Sequence, residues 1–87
     1  MKIKEGFILR KVGVQYIVAA TGAVSKEFNG MMRLNENSAF AFRLLQEGTT
    51  QESLAEQLVA RYGITPERAA AEVDQFIRVL EEAGALA

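Results

Sequence analysis

The apolar and polar positions change rhythm once along this chain, at Asn35. Before it, Phe7-Ile8-Leu9-Arg10-Lys11-Val12 and Gln15-Tyr16-Ile17-Val18-Ala19-Ala20 are runs rich in β-branched and aromatic residues. They flank Gly13-Val14, and a glycine that can take positive φ between two such runs predicts a β-hairpin. Thr21 to Gly30 reads as a polar, glycine-bounded connection, and Met31-Met32-Arg33-Leu34 as a short third strand.

From Asn35 onward the apolar spacing is three and four. Ala39, Phe42 and Leu45, with Phe40 and Leu44 alongside, form the stripe of a first helix that Asn35 caps and Gly48 stops. Thr49-Thr50-Gln51-Glu52 reads as a capping box. It opens a second helix with Leu54, Leu58 and Tyr62, plus Ala55 and Val59, on its apolar side, ending at Gly63. Thr65-Pro66 starts a third, because threonine caps and proline suits the first helical turn. Its stripe is Ala69, Val73, Phe76, Ile77 and Leu80, it stops near Gly84, and Leu86 is expected to pack back on the core.

Strands segregated from helices, with antiparallel connections, predict an α+β fold: a three-stranded antiparallel sheet followed by three helices, in one domain over residues 1–87. Such a sheet buries one face against the helices and still has two edges whose main-chain groups need partners. Whether those edges pair with a second copy of the chain is open at this level.

Composition narrows the function. A hydrophobic fraction of 49% with 24% charged residues and one proline is that of an ordinary globular chain. With no cysteine there is neither a disulfide framework nor a thiolate metal site. With no histidine the usual general base and the commonest metal ligand are missing, which weighs against an enzyme and against a cofactor. No apolar run resembles a signal peptide or approaches the ~20 residues of a membrane span, so a soluble cytoplasmic protein is expected. Residues 1–48 carry seven Lys/Arg against four Glu, and residues 49–87 carry three Arg against seven Asp/Glu. The chain thus has a mildly basic half and an acidic half.

The stretch from Gly30 through Met31-Met32-Arg33-Leu34-Asn35 to Ala39, Phe40, Leu44-Leu45 and Gly48 resembles the PqqD family. That family shows a strand ending in Leu-Asn, an alanine four residues after the Asn, an aromatic, and Leu-Leu before glycine. The Thr-x-x-Glu cap, Tyr62 and Val73-x-x-Phe76-x-x-x-Leu80 extend the resemblance over nearly the whole chain. Phe42 stands where the family commonly has tryptophan. The resemblance implies a winged-helix-like, non-catalytic peptide recognition element. In it, the leader of a ribosomally made precursor peptide adds as a strand to the edge of the third strand and lies against the third helix. The implied partner is a modifying enzyme such as a radical S-adenosylmethionine protein.

The residues themselves permit that mode, since a sheet edge offers main-chain hydrogen bonds and a neighbouring groove offers side-chain pockets. Met31, Met32, Arg33 and Leu34 are the candidate docking strand. Of the two methionines, alternation predicts that one faces the core and the other the groove or solvent, the alternative being that both fill the core or an oligomer contact. Arg33 alternates outward if Met32 and Leu34 face inward, either to meet an acidic peptide residue or simply to be solvated. On the third helix, Arg68, Glu72, Gln75 and Val79 share one flank of the apolar stripe, and Ala70, Asp74, Arg78 and Glu81 the other. The first flank is the candidate groove wall, with Val79 extending the apolar surface, although periodicity does not say which flank meets strand three. Asn35, Glu36 and Glu52 could suggest a carboxylate site, but capping accounts for Asn35 and Glu52. No phosphate-binding glycine loop is present. A winged-helix topology also invites DNA binding by helix three. Its two arginines against five carboxylates, Glu67, Glu72, Asp74, Glu81 and Glu82, oppose that reading, because phosphate recognition needs a positive face.

Overall fold

The computed structural model describes residues 1–22 and 31–87. Its elements run β1 (Phe7–Val12), β2 (Gln15–Ala20), β3 (Met31–Leu34), α1 (Glu36–Glu47), α2 (Gln51–Tyr62) and α3 (Pro66–Glu82). The α+β order and all three strands fall where the apolar rhythm puts them. The connection expected over Thr21–Gly30 lies, from residue 23 on, outside the described residues.

The sheet order is β1-β2-β3 with both pairings antiparallel. The hairpin closes through Gly13 at φ 63, followed by Val14 at negative φ. Positive φ at the first of two turn residues matches the right-handed twist of the strands and is freely open only to glycine. Alternation then sends Phe7, Leu9, Val18, Ala20, Met32 and Leu34 to one face, where they join the core. The pairs Leu9↔Val18 and Val18↔Met32 lie in one row across the three strands on that face.

The helices cover the same face. Asn35 caps α1 by accepting from the Ser38 N–H at 2.8 Å, and Thr65 caps α3 through Arg68 N–H at 3.2 Å, with Pro66 in the first turn. The cap of α2 differs from the expected box. Thr50, not Thr49, is the capping residue, and its hydroxyl accepts from Ser53 N–H at 3.1 Å. The Thr49 N–H, which Glu52 would have accepted in a box, donates instead to the Met1 carbonyl at 2.9 Å. Glu52 remains exposed in the first turn, where a negative charge favours the helix dipole.

Phe42 and Leu45 of α1, Leu54 of α2 and Leu80 of α3 are wholly excluded from solvent and meet Val18 and Val73 in a single cluster. Phe40 and Leu44, expected in the core, are only partly buried at its margin. There the Phe40 ring meets Tyr62 edge-on at 6.0 Å, with the Arg61 guanidinium over it at 4.6 Å. Leu86 packs back as expected, and does so by bridging to Ile3, a core residue that no periodicity announces. Because Phe42 has no exposed surface, Phe42→Ala should destabilise the fold by about 3–5 kcal/mol. Chemical denaturation with an unchanged slope and a lowered midpoint is the expected result.

Candidate functional site

The edge of β3 is the first component. In a two-residue hairpin the residues flanking the turn, here Val12 and Gln15, exchange main-chain hydrogen bonds, and along an antiparallel ladder such pairs alternate with non-bonded ones. Gln15, Ile17 and Ala19 therefore turn their main-chain groups toward β1, and Tyr16 and Val18 turn theirs toward β3. On β3 the partners of those two are Leu34 and Met32. Met31 and Arg33 are left with N–H and C=O directed away from the sheet. Among the described residues β3 pairs only with β2, so this edge is open.

A groove is the second component. A cavity of about 410 Å³ runs beside β3, with Arg33 and Leu34 on one side and Arg68, Glu72, Gln75 and Val79 on the other. Its floor is apolar, made by Ala41, Leu58, Val73 and Phe76. The capped first turn of α1 brings Asn37 and Ser38 to its end. The flank left undecided by periodicity is thereby settled, since Asp74, Arg78 and Glu81 do not line this cavity. Val79 is 36% exposed, an apolar side chain kept at a groove wall rather than in the core.

The groove rim is charged but internally compensated. Arg68 Nε meets Glu72 Oε1 at 3.5 Å, and on the opposite flank Arg78 meets Asp74 Oδ2 at 3.2 Å. Both are exposed i,i+4 pairs, worth about 0.3–0.5 kcal/mol each. They nevertheless occupy both cations of α3. The second Glu72 oxygen, Oε2, is shielded from solvent and has no hydrogen-bond partner among the described residues. It is an acceptor in want of a donor, beside an apolar floor. Among the described residues no group of three or more Asp or Glu side chains gathers as a metal site would require. No helix among them is long and apolar enough to cross a membrane.

Six of the eight residues singled out from the sequence thus line one cavity: Arg33, Leu34, Arg68, Glu72, Gln75 and Val79. The methionines behave differently. Met32 packs against the core, and Met31, 71% exposed, carries its side chain to the far face of the sheet while its main chain faces the open edge. Asn37, Ser38, Ala41 and Ala71 were not anticipated. Ala71 shares the flank of Arg68 and Gln75 at spacings of three and four, a signal present in the sequence but carried by a residue too small to attract notice.

Fold and site together define a βββααα domain with an open sheet edge laid along an apolar groove. The chain belongs to the PqqD family: the sequence model described as coenzyme PQQ synthesis protein D matches residues 14–86. Two solved structures share the fold. One is TbiB1 in complex with the TbiA(beta) leader peptide, at TM-score 0.79 and 17% identity, covering 99% of this chain and 94% of that one. The other is a lasso peptide synthetase B1 complexed with the leader peptide, at TM-score 0.75 and 14% identity, covering 97% and 93%. No curated protein matches the sequence.

The assignment of main-chain directions has a direct structural test. Proline at Met31 or Arg33 removes only an outward donor and should be tolerated, as on edge strands generally. Met32→Pro removes a donor to β2 and leaves its acceptor unsatisfied, which should cost about 1–3 kcal/mol, read as a lowered thermal midpoint. Equal destabilisation by Met32→Pro and Arg33→Pro would mean the ladder alternates the other way.

Proposed function

We propose that this chain is a non-catalytic peptide-binding chaperone, which docks the leader of a ribosomally made precursor peptide by strand addition and presents it to a modifying enzyme in the cytoplasm. The observation that carries this reading is the coincidence of the outward main chain of Met31 and Arg33 with the groove between β3 and α3. Membership of the PqqD family and the folds shared with two leader-peptide complexes support it. A radical S-adenosylmethionine enzyme is the partner class that the family resemblance favours.

Physically, main-chain pairing accepts any extended segment without proline at the bonded positions, and the groove then selects among segments. Peptide residues directly opposite Met31 and Arg33 point to the same side as those side chains, away from the helices. The residues between them point into the groove, over Ala41, Leu58, Val73 and Phe76. An apolar side chain there displaces water from an apolar floor, and a donor near its end could satisfy Glu72 Oε2.

The test is titration of the labelled domain with synthetic leader peptides of ribosomally made precursors from the same genome. Amide shifts should gather on residues 31–35 and on the Arg68–Glu72–Gln75–Val79 flank, and Arg33→Pro should weaken binding while leaving the fold intact. Val79→Asp places an unpaired carboxylate against the apolar peptide side chain, a loss of about tenfold, moderate because the main-chain bonds remain. Shifts confined to the Gly13 turn or to α2 would refute edge addition.

Duplex DNA should bind only weakly, because α3 carries two arginines, both paired, against five carboxylates. A sequence-dependent gel shift that persists at physiological salt would overturn this expectation.

A further inference from the structure

The face of the sheet turned away from the helices departs from the usual composition of a solvated sheet face, where polar residues alternate outward. Its residues follow from the register. Ile8, Ala19 and Met31 form one cross-strand row, Arg10, Ile17 and Arg33 the next, and Val12 stands opposite Gln15 at the hairpin end. Five of these eight, Ile8, Val12, Ile17, Ala19 and Met31, are apolar, and they surround two guanidiniums. Ile8, Ile17 and Ala19 are partly buried without being among the residues packed against the core, and Val12 and Met31 are 58% and 71% exposed. Neither Arg10 nor Arg33 has a carboxylate within ion-pair distance among the described residues. No Asp or Glu lies on any of the three strands.

We infer that this outer face is a docking surface for the modifying enzyme, fitting a patch that places carboxylates around an apolar centre, and that a bound leader strand enlarges it. The inference rests on the function proposed above. Charge selects the occupant. An isologous contact between two copies would set this doubly cationic face against itself, which like charges oppose. Two cations are also few for a nucleic-acid backbone, where several phosphates are neutralised together. A carboxylate-bearing apolar patch satisfies both guanidiniums and covers Ile8, Ile17 and Met31 at once.

Continuity with the β3 edge supplies the second half. A strand paired to Met31 and Arg33 presents its directly opposite side chains on this same face, next to theirs. Two strands of six residues and one of four, at about 4.8 Å spacing, make a face of about 260 Å², and a fourth strand matched to β3 raises it to about 330 Å². A stable interface takes about 800 Å² per partner, so the empty domain offers a weak site and the loaded one a better site. The enzyme would then read domain and leader as one surface, and prefer the loaded domain.

The test uses the full chain, a synthetic leader that it binds, and the purified enzyme that modifies the corresponding precursor. Arg10→Glu and Val12→Asp lie on β1, two strands from the leader edge, at exposed positions where folding should persist. Leader affinity should stay within about twofold for both, enzyme affinity should fall about tenfold, and leader should strengthen enzyme binding to the wild type. Enzyme binding unchanged by both substitutions, with the leader still bound, would overturn this inference and leave the proposed function standing. A wild-type dimer dispersed by Arg10→Glu would assign the face to a second copy instead, and duplex binding abolished by it would assign it to nucleic acid; each excludes the enzyme assignment. If the wild type binds no leader, the proposed function itself fails, and this inference with it.

Discussion

The pairing of Val18 with Met32 on the buried face of the sheet is the constraint from which the rest of the molecule follows. Side chains alternate with period two, so a one-residue slip of β3 would turn Met32 and Leu34 to solvent and bring Arg33 toward the core. That exchange would strand a guanidinium among apolar side chains, a penalty large enough to fix the register of a strand only four residues long. The same register decides which main-chain groups of β3 are used inside the sheet and which face the open edge. Core packing thus sets the hydrogen-bonding identity of the edge, although no edge group takes part in the core.

The helices extend this logic from the strand to the groove. Wholly buried Phe42, Leu45 and Leu80 hold α1 and α3 against the sheet, and their capped starts at Asn35 and Thr65 fix where each first turn begins. Asn37 and Ser38 reach the groove because α1 starts immediately after β3, and Arg68 and Glu72 reach it because α3 presents one flank of its stripe there. The cavity is the space between α3 and the edge strand, floored by side chains that also belong to the core.

Most of this architecture was legible in the sequence, for reasons that differ by element. The hairpin was, because Gly13 sits between two β-rich runs, and α3 was, because its apolar stripe is long and its start carries Thr65-Pro66. The cap of α2 was misplaced by one residue. Thr49 and Thr50 are equivalent as local signals, and the contact that distinguishes them is with Met1, distant in sequence. The same limit hid Ile3, whose bridge partner Leu86 lies at the far end of the chain. Periodicity found the candidate residues of α3 but not their orientation, since its two flanks are symmetric about the stripe until β3 is in place. Met31 showed the converse: alternation told that the methionines part ways, and only the register showed that Met31 offers its main chain, not its side chain, to the edge.

The two ends of the described chain meet beside α1. Lys2 accepts from the Ala87 N–H at 2.9 Å, Lys4 N–H donates to Ala85 at 2.8 Å, and Ile3 N–H donates to Leu45 at 3.0 Å. Neither Lys2 nor Ala87 lines the groove, and neither lies on the outer face of the sheet. The topology is therefore close to a ring that happens to be cut at this point. A few residues would join the ends, and a new cut at an exposed loop elsewhere would leave the edge strand, its groove and its register untouched. The unit can accordingly be carried as an insert within a longer polypeptide, entering and leaving through one small area of surface.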